Sequence, residues 1–201
     1  MQTIPIALQQ QIEFIVEVDK LKSVLRMTSP IGQARKENSA EHSWQIVLMA
    51  MILHEHANLS VDLLKVVKML AIHDVVEIDV GDTFHYAKTS SPDLAQRELT
   101  AAKRIFGILP PEQGQSLLEL WQEFEARKTP EAIFAATVDR LVAFLMNRGN
   151  DFGTWREHSI APELILERNS AICDGSNQLW NLAQTIVAEF RASETTSTIP
   201  L

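Results

Sequence analysis

Residues 63–77, LLKVVKMLAIHDVVE, carry their apolar side chains at helical rather than strand spacing. Leu63, Val67 and Leu70 recur at intervals of four and three, which places them on one face of an α-helix. Three and four residues beyond Leu70 stand His73 and Asp74, and Glu77 follows seven beyond it. The inward stripe therefore changes from aliphatic to ionisable in its last two turns. His73 and Glu77 are four apart, and Asp74 and Glu77 three apart, so a helix running on through Glu77 brings all three toward one spot.

Residues 131–147, EAIFAATVDRLVAFLMN, repeat the anomaly. Thr129-Pro130-Glu131 is a helix start, and the helix it opens is apolar almost all round, as expected of a central element. Asp139 shares its face with Ala132, Ala135, Val142 and Met146, where a carboxylate is costly unless it is paired or bound to a cation. A third polar intruder is His42, just ahead of the apolar run Trp44 to Met49 in a helix expected over residues 39–57, with Asn38 or Ser39 as its cap and Glu41 in its first turn.

Helical spacing continues in both directions. A helix is expected over residues 7–27, with a stripe of Ile12, Ile15, Val16, Leu21, Val24 and Leu25, ended by Ser29-Pro30-Ile31-Gly32. Pro92 reads as a first-turn proline after a polar loop over 83–91, and Pro110-Pro111 opens a helix reaching Phe124. A last helical stretch is expected over 162–190, and residues 193–201 read as a frayed, disordered tail. No segment alternates with period two, and no Pro/Gly/Ser-rich linker divides the chain. The expectation is one all-α domain, a helical bundle over residues 1–192.

The chain has 201 residues, of which 46% are hydrophobic and 22% charged, enough apolar material for a buried core and too much for a disordered chain. A formal net charge of −8 provides no basic field for nucleic acid or anionic membrane, so neither is expected as a partner. The longest apolar run, Ile46 to Leu53, is far short of a bilayer span, and the N-terminus reads as carrying no signal peptide. The single cysteine, Cys173, permits no internal disulfide. The expected location is the cytoplasm.

His42, His73, Asp74 and Asp139 are two imidazoles and two carboxylates, a nitrogen and oxygen set suited to a divalent transition metal with positions left open for water. Three different helices have to meet for this to hold. Spacing alone leaves a second reading equally open, in which the same residues form a structural polar cluster and Asp139 pairs with an arginine. His54, His56, His85 and His158 have no inward carboxylate companion at helical spacing and read as hydrogen-bonded bystanders.

The segments ENSAEHSWQIVLMAMIL (37–53) and KVVKMLAIHDVVEIDVGD (65–82) resemble the HD-domain metal-dependent phosphohydrolases, most of all the branch containing the 5′-deoxynucleotidases. That superfamily's pattern of a His, a His-Asp dyad and a distant Asp matches His42, His73–Asp74 and Asp139. The branch's further features match Ala40-Glu41-His42-Ser43, Glu77 and Gly81-Asp82. The similarity runs from about residue 21 to about residue 180, through TPEAIFAATVDRL, WREHSI and ERNSAICDGSNQLW.

The resemblance implies an HD-domain helical bundle in which His42, His73, Asp74 and Asp139 hold a divalent ion (Mn, Co, Fe, Ni, Zn or Mg). It implies that Glu77 orients or deprotonates the attacking water and that Asp82 contacts the sugar or assists the leaving oxygen. In some relatives the equivalents of Glu77 and Asp82 hold a second ion. Arg26 and Arg35 are the implied phosphate contacts, where a guanidinium fork suits the anion. Met27 stands where bacterial 5′-deoxynucleotidases carry a tryptophan against the sugar, which weakens the expectation of a deoxyribose preference.

The implied activity is hydrolysis of nucleoside 5′-monophosphates to nucleoside and phosphate. The alternatives are an HD-type phosphodiesterase, a nucleoside-polyphosphate hydrolase, or a non-catalytic nucleotide-binding domain. A homodimer is expected.

Overall fold

The structure, a computed structural model, describes residues 4–86 and 93–196. Among these the regular elements are all helical, and the one extended pairing is an isolated antiparallel bridge between Leu25 and Asn38. The helices are α1 (Ile6–Val18), α2 (Ser39–Leu53), α3 (Leu63–Ile72), α4 (Glu77–Val80), α5 (Leu94–Phe106), α6 (Pro111–Ala126), α7 (Pro130–Gly149), α8 (Gly153–Glu157), α9 (Pro162–Asn169), α10 (Ile172–Gly175) and α11 (Asn177–Thr196).

Helix α7 is the axis of the bundle, packed by α2, α3, α6, α10 and α11. Thr129 caps it by accepting from the Ala132 amide, and Pro130 sits at its first position, where a missing N–H costs nothing. Phe134, Val138, Leu141 and Phe144 are buried on several sides of it, as the nearly all-round apolar sequence requires. The main core collects around this helix, and a smaller apolar cluster of Val75, Val76, Ile105, Phe106 and Trp121 joins α5 and α6 to the segment after α3.

Several expectations about elements are corrected. The first helix ends at Val18 rather than reaching residue 27: a 3₁₀ turn covers Asp19–Ser23, and Leu25 then runs extended to pair with Asn38. Its expected inward stripe is split, since Leu21 is buried whereas Ile12, Ile15 and Val16 face outward. The third helix ends at Ile72, and His73–Val76 form a tighter 3₁₀ turn before α4. The last stretch is three helices, because α10 lies directly on α7, with Gly175 against Thr137 where a side chain would collide. The final helix then runs through Thr196, into the stretch expected to be a tail. The second helix also tightens, into a 3₁₀ turn at His54–His56. Pro92 lies outside the described residues.

Candidate metal centre

The N-terminal end of α2 sets His42. Asn38 accepts from the Glu41 amide and Glu41 accepts in return from the Asn38 amide, a reciprocal cap that starts the helix four residues before the histidine. His42 is buried, and its Nε2 lies 2.9 Å from Asp139 Oδ1 and 3.7 Å from Asp74 Oδ2. Its Nδ1 has no hydrogen-bond partner, with Glu37 Oε2 3.9 Å away.

His73 opens the 3₁₀ turn. Its Nδ1–H donates to the Leu70 carbonyl at 2.9 Å, which fixes the tautomer and leaves Nε2 as the lone-pair nitrogen. That Nε2 is buried and without a well-directed hydrogen bond, and it faces Asp74 Oδ1 at 2.9 Å and Asp139 Oδ1 at 3.6 Å. The Trp121 indole donates to the His73 carbonyl, and the Phe124 ring stands edge-on to the imidazole with centroids 5.1 Å apart. The Leu70 bond and the Phe124 contact thus position the ring, and the indole fixes its backbone.

One donor atom each from His42, His73 and Asp139 lies within 4.8 Å of the others, so the three converge on one candidate metal position. Asp74 borders the same spot while its Oδ2 receives Arg26 Nη1 at 2.8 Å. The 3₁₀ turn matters here, because residues three apart eclipse in that geometry, which stacks Asp74 and Glu77 on one side.

Protons and charges are balanced tightly. Burial opposes the charged form of His73, but Asp74 and Asp139 outweigh it and raise its pKa well above the usual imidazole value. Burial likewise opposes ionisation of Asp139, yet the His42 hydrogen bond and the nearby His73 imidazole hold it well below the usual carboxylate range. The cluster favours positive charge between its carboxylates, and a divalent cation supplies that charge in place of protons.

Glu77 and Asp82 flank the centre. Glu77 Oε2 accepts from Ser39 Oγ at 2.6 Å, and burial, aided by the negative Asp74, pushes its pKa up to about 8. Gly81 ends α4 with φ of 77°, a conformation L side chains rarely adopt. This turn sends Asp82 back to within 3.6 Å of Arg26 Nη1, which is also 3.8 Å from Glu77 Oε1. Burial raises the pKa of Asp82, with Arg26 opposing.

A cavity of about 200 Å³ opens in front of Asp74, Glu77, Asp82 and Asp139, and Arg127, Arg140 and His85 complete its wall. It adjoins a smaller one of about 90 Å³ that shares Arg26, Asp82, His85 and Tyr86 and is lined further by Met27, Phe84 and Trp155. Arg26 lines both cavities and Met27 the smaller one. Arg35 does not join them. Its guanidinium forks onto Glu41 with two bonds of 2.8 Å, half-exposed and on neither cavity wall.

Sequence spacing gave no signal for Arg127, Arg140, Phe84 or Tyr86 as neighbours of this centre. His85 is hydrogen-bonded, as expected of a bystander, but it lines both cavities.

The model of the HD-domain family matches residues 18–180. The chain belongs to the HD-domain family. Its fold matches that of the predicted metal-dependent phosphohydrolase of Magnetospirillum magnetotacticum MS-1, with a TM-score of 0.89 and 42% identity over 94% of this chain and 97% of the other. A further likeness, of fold alone, is to the PH0347 protein of Pyrococcus horikoshii OT3, with a TM-score of 0.63 and 24% identity over 87% of this chain and 99% of the other. Among curated proteins, this HD-domain chain is 30% identical over 141 residues to 5′-deoxynucleotidase HDDC2 of Dictyostelium discoideum, covering 67% of this chain and 74% of the relative. It is 29% identical over 130 residues to the human 5′-deoxynucleotidase HDDC2, where the match covers 64% of this chain and 62% of the relative.

Proposed function

We propose that this HD-domain chain is a metal-dependent phosphomonoesterase that hydrolyses nucleoside 5′-monophosphates to nucleoside and phosphate. The observation that carries the reading is the buried, lone-pair Nε2 of His73, aimed with His42 at Asp74 and Asp139 on the wall of a cavity. The names of the curated relatives support the substrate class.

His42, His73, Asp74 and Asp139 are the proposed ligands of one divalent ion, which would supply Lewis acidity to an attacking water and to a phosphoryl oxygen. Glu77 is the proposed base. Burial and the neighbouring Asp74 raise its affinity for a proton, as a base requires, and Ser39 holds its carboxyl group in place. Asp82 lies where the cavity passes into the smaller pocket, suiting it to the sugar or the leaving oxygen. Arg26 orients Asp74 and Asp82 from between them. Its Nη1 already stands close to Glu77 and Asp82, which favours one ion over two.

The test is phosphate release from a panel of nucleoside monophosphates by the metal-loaded chain, beside a diester and a nucleoside triphosphate. Release from the monophosphates is expected, and turnover of the diester or triphosphate alone would overturn the reading.

Sugar selectivity follows from Met27. This side chain lines the smaller pocket, and an unbranched thioether shifts aside where a rigid indole does not. An adaptable apolar wall rejects an added hydroxyl weakly. Matched deoxy- and ribonucleotides are expected to differ in kcat/KM by less than about a hundredfold. A larger ratio means that a residue other than Met27 discriminates.

A homodimer is part of the same proposal. Trp44 and Ile52 of α2 are 67% and 69% exposed, and Ile6, Ile12 and Ile15 of α1 also face outward, giving apolar helix faces in need of cover. Sedimentation equilibrium is expected to give a dimer that Trp44→Glu weakens, and a wild-type monomer at micromolar concentration excludes it.

A further inference from the structure

Five carboxylates ring the proposed metal centre: Glu37, Asp74, Glu77, Asp82 and Asp139. Arg26 sits among them, and its charge is spent on their oxygens. Even with Glu77 protonated, four carboxylates outweigh the charge of one arginine and one divalent ion, and a phosphate monoester adds about two more negative charges. An anionic substrate needs further cations.

Two guanidiniums on the cavity wall meet that need. Arg140 follows Asp139 on α7, and Arg127 ends α6 in a left-handed conformation with φ of 49°. Neither forms an ion pair with a carboxylate among the described residues. The two protein bonds of Arg140 both come from Nη1, which donates to His85 Nε2 at 3.0 Å and to the Arg168 carbonyl at 3.2 Å. Those bonds brace the guanidinium and leave Nε and Nη2 without a protein acceptor among the described residues. Other arginines of the chain, such as Arg104 and Arg148, are paired with carboxylates.

We propose that Arg140, with Arg127 at the rim, binds the non-bridging oxygens of the substrate's phosphate. The proposal rests on the phosphomonoesterase reading above. Arg26 then organises the carboxylates, while Arg140 and Arg127 grip the anion. This takes the part that Arg35, held by Glu41, does not play.

Inorganic phosphate is the probe, titrated calorimetrically into the full, metal-loaded chain. Arg140→Gln is expected to weaken phosphate binding by about 10–100-fold, the worth of one charged hydrogen-bonded contact, with metal content unchanged. Arg140→Lys is expected to recover part of that loss. Arg127→Ala, at an exposed position, is expected to weaken binding a few-fold, by an amount that shrinks as salt is added.

In turnover, KM for the monophosphate should rise with the phosphate Kd. Unchanged phosphate affinity in both Arg140→Gln and Arg127→Ala overturns the proposal. Loss of metal together with phosphate in Arg140→Gln also overturns it, because the arginine would then act through Asp139. A wild-type chain that binds phosphate but hydrolyses no monophosphate defeats the phosphomonoesterase reading and leaves the arginine result to be scored on binding.

Discussion

Asp139→Ala is expected to abolish bound metal and phosphate release together. The side chain contributes an oxygen that faces both histidines, 2.9 Å from His42 Nε2 and 3.6 Å from His73 Nε2. Its loss leaves two imidazoles and Asp74, which Arg26 already engages. Lewis-acid stabilisation is worth several kcal/mol, so the rate should fall by about 10³-fold or more. Metal analysis of the purified variant is the direct measurement. Full occupancy in Asp139→Ala would show that this carboxylate is not a ligand, and thermal melting separates loss of metal from loss of fold.

Glu77→Ala should behave differently, retaining the ion while losing most turnover. Glu77 is held by Ser39 and stands outside the trio of closest donor atoms. Removing a general base typically lowers the rate by about 10²–10⁴-fold. A variant with near-normal kcat would make Glu77 a structural residue. A variant that loses one of two ions per chain would replace the one-ion reading with the two-ion one. Comparing metal content with kcat in Asp139→Ala and Glu77→Ala therefore separates holding the ion from moving the proton.

The parts of the site that could be read from the chain are those with a local cause. His42, His73 and Asp139 each break an apolar stripe, and such a break is visible wherever helical periodicity is strong. Asn38 and Glu41 announce the start of α2 through a cap that spans only four residues. Gly81 marks the turn that returns Asp82 because a left-handed backbone favours the residue without a side chain. Resemblance supplied the joint assignment of the four ligands, which the stripes alone left open against a structural cluster.

Arg35 shows where local reading stops. In sequence it is an arginine leading into the site, much as Arg26 is, but Glu41 captures it and the carboxylates of the centre capture Arg26. Partner choice between charges depends on distances set by the whole fold. Arg140 is the converse case, an arginine with no marked spacing that tertiary packing turns onto the cavity wall.

What the amino-acid sequence determined by itself is the helical class, the central place of α7 and the identity of the polar residues that interrupt its core-facing neighbours. Periodicity carries these because a helix repeats within a few residues and burial follows the repeat. Only the tertiary structure decided that the chain leaves the α-helix at His73, that Asp139 meets two imidazoles from other helices, and which arginines face the cavity. Those outcomes depend on contacts between residues far apart in the chain, whose energies exist only once the helices have packed.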